Sequence, residues 1–134
     1  MNDKTAILIT GSSRGLGRAL AELYTNQGLT VFGCSRSEVD FKHEGYHHIV
    51  MDISTEEGVN ALFTELSKYD VRPDVLINNA GTKRDSVALL ATLEQAQDMM
   101  SSNFFGAFLV MREAAKLMKR ARFGRIVNIS SMAV

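Results

Sequence analysis

The sequence has no tryptophan, one cysteine and one proline, and its charges cancel. Each shortage removes a class of explanation. With Cys34 alone there is no intrachain disulfide and no cysteine pair to start a zinc site. Cys34 falls inside a predicted strand, where it reads as a small buried hydrophobe in a reducing compartment. Fifteen basic and fifteen acidic residues sum to zero, so no global field draws the chain to nucleic acid or an anionic membrane. No apolar run reaches the ~20 residues of a membrane-spanning helix. Met1-Asn2-Asp3-Lys4 leads straight into a strand without the apolar stretch of a signal peptide, and a cytoplasmic location is expected. His43, His47 and His48 lie close in sequence but have no carboxylate or cysteine at ligand spacing, so no metal is expected. Pro73 stands between a helix and a strand, where it interrupts neither.

What is present reads as one globular domain, residues 1–134, or part of one: 46% apolar and 22% charged. Thr5 to Thr10 is a continuous apolar strand, the kind buried on both faces of a parallel sheet. Arg14 to Gln27 reads as a helix facing inward through Leu16, Leu20, Leu23 and Tyr24, and ends at Gly28. Strands follow at Thr30–Ser35 and His47–Met51, joined through a helix too short to delimit. Ser54 or Thr55 caps a second helix that carries Val59, Leu62, Phe63 and Leu66 on one face. Val75–Ile77 is a fourth strand. Thr92 to about Arg120 is helical but too long for one element, with a break near Ser101 to Asn103 and an end at Gly124. Ile126–Ile129 is a fifth strand. This alternation predicts an α/β, doubly wound parallel sheet (Rossmann), strand order 3-2-1-4-5.

Thr10-Gly11-Ser12-Ser13-Arg14-Gly15-Leu16-Gly17 lies between a buried strand and an amphipathic helix. In that context the glycines suit a dinucleotide's diphosphate. Gly11 allows the turn, Gly15 lets backbone amides approach the ligand, and Gly17 lets helix and sheet pack closely. The helix N-terminus adds unpaired N–H groups and partial positive charge.

The spacing resembles the short-chain dehydrogenase/reductase family, and four further motifs extend the resemblance over the chain. They are Asn78-Asn79-Ala80-Gly81 after the fourth strand, Asp52 in Met51-Asp52-Ile53, Asn103 in Ser102-Asn103-Phe104-Phe105-Gly106, and Gly124 to Ser131. The resemblance implies hydride transfer between a nicotinamide coenzyme and a carbonyl or secondary alcohol. It assigns Asp52 to the adenine with the Ile53 amide beside it, leaves room at Ala80 and Gly81 for a ribose next to Asn79, and gives catalytic roles to Ser131 (substrate oxygen) and Asn103 (a proton relay at a helix distortion). Asn78 is expected to tie neighbouring strands.

The second strand ends in Ser35-Arg36-Ser37, with Ser35 where a carboxylate for a ribose hydroxyl would stand. Arg36 and Arg14 are basic, and guanidinium forks match phosphate oxygens, so the expected coenzyme is NADP. The alternatives are NAD held through Glu38 or Asp40, and solvated surface roles for both arginines. The resemblance also implies a Tyr-x-x-x-Lys proton donor about a dozen residues past the serine. Tyr24, Tyr46 and Tyr69 are followed four positions on by Gly28, Val50 and Pro73, so none supplies it. The chain therefore reads as the N-terminal half of such an enzyme, truncated after the fifth strand and inactive alone, or as a non-catalytic NADP-binding or interaction remnant. Ala80-Gly81-x-x-Arg84-Asp85 and the basic group Arg112, Lys116, Lys119, Arg120, Arg122 and Arg125 look most like the beta-ketoacyl carrier-protein reductases of the family. That likeness implies a carrier-protein-bound acyl substrate with Arg122 at the docking surface. Phe104, Phe105, Phe108, Leu109, Met111, Leu117 and Met118 surround more than one helix face, which suggests a homo-oligomer contact.

Overall fold

The computed structural model describes residues 5–83, 85 and 87–131. Strands β1 (Ala6–Thr10), β2 (Thr30–Ser35), β3 (Tyr46–Val50), β4 (Pro73–Asn78) and β5 (Arg125–Asn128) form one parallel sheet in the order β3-β2-β1-β4-β5. Helices α1 (Gly15–Asn26), α2 (Glu56–Leu66), α3 (Leu93–Met100) and α4 (Gly106–Ala121) complete it, and the expected topology holds.

Side-chain alternation along the central strands makes two cores. Leu8, Phe32 and Leu76 point to the α2 and α4 side, where Val59, Leu62, Leu66, Val110 and Ala114 meet them. Ile7, Ile9, Val31 and Ile77 point to the α1 side. Both faces of β1 are sealed, which is why its sequence is apolar without a period. Each large aliphatic side chain buried this way stabilises the fold by about 1.5–3 kcal/mol.

Three expectations need correction. The inward face of α1 is Gly17, Ala21 and Thr25, while Leu16 and Leu23 are half exposed at 52% and 50%. The helix lies so close to the sheet that only small side chains fit beneath it, and Leu20 and Tyr24 pack at its flanks. Between β2 and β3 there is no helix. Residues 36–45 cross irregularly, held by Val39 and Phe41 against the α1-side core and by Arg18, which pairs with Asp40 and lies over the Phe41 ring. Helix α4 ends not through Gly124 but through Arg122, in the left-handed region at φ 54°. Gly124 serves space instead, since a Cβ there would stand 2.3 Å from Met118 Cγ.

Three other expectations match, at Thr55, at the break in the long helix and at Asn78. Thr55 caps α2 by accepting the Gly58 N–H at 3.1 Å. The long helical stretch is interrupted by a π-helical turn at Ser101–Phe105. Asn78 Nδ2 donates to Asn128 Oδ1 at 2.9 Å, tying β4 to β5. No described helix is long and apolar enough to cross a membrane. The sheet brings the turns after β1, β2, β3 and β4 to its carboxyl end, the place where open α/β sheets bind ligands.

Candidate functional site

A cavity of about 660 Å³ opens at that end. Its wall comes from four turns: Gly11 and Ser13 to Gly15 after β1, Cys34 to Ser37 at the tip of β2, Met51 to Ser54 after β3, and Asn79 to Thr82 after β4, with Ser102 at the rim. Of the residues the sequence singles out, Gly11, Ser13, Arg14, Gly15, Ser35, Arg36, Asp52, Ile53, Asn79, Ala80 and Gly81 line it.

Four residues expected at the coenzyme do not line the cavity: Thr10, Ser12, Leu16 and Gly17. Thr10 is buried, and its Oγ1 accepts the N–H groups of Asn79 and Ala80 at 3.1 and 3.0 Å. Asn79 Nδ2 returns bonds to the carbonyls of Thr10 and Gly11 at 3.2 and 3.1 Å. These bonds stitch the β1 and β4 turns into one floor. Ser12 turns inward, with its Oγ 3.1 Å from the Tyr46 hydroxyl, and is no phosphate donor from that side chain. Its amide and that of Gly11 donate to the Cys34 carbonyl, so they too are spent inside the protein. Leu16 faces out, and Gly17 is the contact between α1 and the floor.

The turn still presents a positive wall. Gly15 sits at φ +56° with open space where a Cβ would be. Helix α1 begins without a side-chain cap or an acidic residue in its first turn, whereas α2 and α3 each carry a threonine cap and first-turn glutamate. Arg14 and Arg36 both line the cavity, and neither is ion-paired among the described residues. Asp40, the alternative ribose ligand, is taken by Arg18, whose hydrogen bond holds its carboxyl below the ordinary value. Glu38 is not in the wall, so Asp52 is its one carboxylate. Asp52 Oδ1 accepts the Ser54 N–H at 2.9 Å and shapes the β3 turn.

Asn103 lies in the π-helical turn. Its side chain clamps one peptide of the β4 loop: Oδ1 accepts the Thr82 N–H at 2.7 Å and Nδ2 donates to the Thr82 carbonyl at 2.8 Å. Ser131 is exposed three positions past the end of β5, at the same end of the sheet. Arg84, Ser86 and 132–134 lie outside the described residues, and with them the Arg84 part of the carrier-protein reductase likeness. Sequence reasoning missed Thr82, Ser54 and Ser102 in the wall. Their signal was adjacency to Gly81, Ile53 and Asn103. In the basic group, Arg112 is engaged by Glu56 and Glu113, and Lys116 by Glu113. Of the histidines, His47 stacks on Phe32, and His48 bonds to Tyr46.

Cys34 borders the cavity but is 1% exposed. Burial, reinforced by the negative charge of Asp52, pushes its thiol up to about 12. Only the thiolate is nucleophilic, so at pH 8 about one thiol in ten thousand is ionised. The folded protein is expected to resist iodoacetamide at pH 8 and to react readily in urea, as read by intact mass. Because the shift is upward, the fold's advantage in keeping the thiol protonated is complete below pH about 9 and is lost as pH rises through about 12.

The comparisons agree with this geometry. The family model for short chain dehydrogenases matches residues 5–134. The chain is 36% identical over 135 residues to the 3-oxoacyl-[acyl-carrier-protein] reductase FabG of Aquifex aeolicus, covering 93% of this chain and 54% of that protein. Among solved structures it superposes with a TM-score of 0.89 on 4-hydroxyisoleucine dehydrogenase complexed with NADH, at 27% identity, covering 97% of this chain and 59% of the other. For ElxO with NADP bound the TM-score is 0.86 at 29% identity, over 96% of this chain and 56% of the other. The chain spans about half the length of the curated relatives it matches.

Proposed function

The chain belongs to the short-chain dehydrogenase family, and from that premise we propose that its cavity binds NADP(H) for hydride transfer with a carbonyl or secondary alcohol. One observation carries the coenzyme choice. The tip of β2 and the glycine turn offer the guanidiniums of Arg36 and Arg14 without a carboxylate partner among the described residues; of the two acids that follow Arg36, Glu38 is not in the cavity wall and Asp40 is bound to Arg18. A phosphate oxygen satisfies both arginines; a bare ribose hydroxyl satisfies neither.

The fit extends along the cavity. The open start of α1 and the Cβ-free edge of Gly15 suit a diphosphate. Asp52 has an oxygen to accept an adenine amino group, next to the Ile53 amide. Ala80 and Gly81 leave width for the second ribose, and Asn103 holds the Thr82 peptide that ends this wall. When bound, the coenzyme supplies or accepts hydride at the nicotinamide C4. Ser131 is proposed to hold the substrate oxygen by its hydroxyl, and Asn103 to anchor a proton path at the π-helical turn. The proton itself needs a donor outside these 134 residues, since no tyrosine here is followed four positions on by lysine.

The substrate is proposed to be an acyl carbonyl on an acidic carrier protein, met by Arg122, which is exposed at the end of α4 beside Lys119. A homo-oligomer contact is proposed over Phe104, Phe105 and Phe108, which are 57%, 49% and 46% exposed.

Calorimetric titration with 2′-phospho-ADP-ribose and with ADP-ribose tests the coenzyme reading. The phosphorylated ligand is expected to bind at least tenfold tighter, about one charge-assisted contact's worth. Equal affinities would remove it.

A further inference from the structure

We propose that His48, which does not line the cavity, is a positioning residue for its 2′-phosphate corner: it fixes the β2 tip that carries Arg36 and couples that tip, through Tyr46, to the glycine-rich turn. This rests on the NADP reading above and adds a residue to it.

Four hydrogen bonds form a continuous path beneath the cavity. Ser12 Oγ lies 3.1 Å from the Tyr46 hydroxyl. That hydroxyl lies 2.8 Å from His48 Nδ1. His48 Nε2 lies 2.9 Å from the Ser37 carbonyl and 3.1 Å from Ser35 Oγ. One proton arrangement satisfies every member. A carbonyl can only accept, so Nε2 carries the ring proton and donates to Ser37, sharing that N–H with Ser35 Oγ, whose own proton goes to the same carbonyl. Nδ1 then accepts from Tyr46, and the Tyr46 oxygen accepts from Ser12. Burial raises the Tyr46 phenol and keeps it protonated, as this arrangement needs.

The consequence falls on Arg36. Its two neighbours are both held: Ser35 Oγ and His48 Nε2 donate to the same Ser37 carbonyl, at 2.8 and 2.9 Å. A bend pinned on either side of Arg36 presents the guanidinium with less entropy left to lose on binding. The other end of the path reaches the turn that carries Arg14, so one histidine links the elements of both arginines.

A second observation shows that room is reserved for this path. Gly33 sits in mid-strand β2, where a glycine weakens a strand. A Cβ there would stand 2.1 Å from the Tyr46 hydroxyl oxygen and 2.4 Å from Ser12 Oγ. The missing side chain makes the space in which the Ser12–Tyr46 bond lies.

The test is a selectivity ratio. His48→Phe and Tyr46→Phe each keep a ring and remove the polar link. Each variant is titrated with 2′-phospho-ADP-ribose and with ADP-ribose. The expected result is a loss of about fivefold for the phosphorylated ligand, the size of one hydrogen bond's net contribution, and a smaller change for ADP-ribose. His48→Gln, whose amide can still donate to the Ser37 carbonyl, is expected to recover the preference. A damaged fold would weaken both ligands together and overturns the proposal. So does a ratio that stays at the wild-type value in both phenylalanine variants. Equal binding of the two ligands by the wild type overturns the NADP reading first, and this inference with it.

Discussion

Arg36→Asp is expected to invert the coenzyme preference of the isolated chain. Arg36 stands at the tip of β2 in the cavity wall and has no partner to release among the described residues. A guanidinium bound to a phosphate contributes about 1.5–3 kcal/mol. Its removal alone weakens 2′-phospho-ADP-ribose about 10- to 100-fold. The new carboxylate then repels a group bearing roughly −1.5 to −2 charges at neutral pH, which places the loss at or above the upper end of that range. ADP-ribose gains an acceptor for its ribose hydroxyls, so its affinity is expected to rise. Both arginines are exposed, so the wild-type preference is expected to shrink as salt screens them. Titrations at low and high ionic strength, for wild type and variant, check both statements. A variant that keeps the wild-type order of the two ligands would show that Arg36 faces solvent and nothing else.

How much of this was readable from the residues differs by level. Strand identity and order were, because a strand buried on both faces must be apolar throughout, and Thr5 to Ile9 and Val31 to Cys34 announce that directly. The break in the long helix was too, since Ser101 to Asn103 interrupts the apolar period where the π-helical turn now stands. The inward face of α1 was not. Periodicity points to its leucines, but the distance of closest approach between helix and sheet decides which face can go inside, and that distance is set by Gly17 and Gly11 together. The inward turn of Ser12 is hidden for a related reason. A hydroxyl in a phosphate-binding turn looks like a donor to ligand until Gly33, in a different strand, is seen to open a space behind it. Arg122 in place of Gly124 at the end of α4 was equally hidden, because the space Gly124 leaves is claimed by Met118 from a previous turn. Local pattern carried the elements; contacts between distant positions decided which side chains reach the cavity.

Gly17→Ala tests that closest approach. A Cβ on Gly17 would lie 2.2 Å from the Gly11 carbonyl oxygen and 2.5 Å from Asn79 Nδ2. Neither neighbour can step aside cheaply. The first is backbone in the turn off β1. The second is committed to the Thr10 and Gly11 carbonyls in the floor of the cavity. Helix α1 must lift from the sheet or the floor must come apart. Overpacking a close contact costs typically 1–3 kcal/mol, and this geometry belongs at ~3 kcal/mol. For a domain of this size that corresponds to a fall in Tm of about 10 °C. Binding of ADP-ribose should fall with it, since the same shift spreads the glycine turn. Gly15→Ala is the control. Unlike Gly17, Gly15 sits at positive φ, but nothing lies within 4 Å of its would-be Cβ, so its cost is the left-handed backbone alone, roughly 1–2 kcal/mol. Thermal unfolding by circular dichroism separates the two. If Gly17→Ala melts at or above Gly15→Ala, the helix does not press on the sheet at Gly17, and the small inward face of α1 needs another cause.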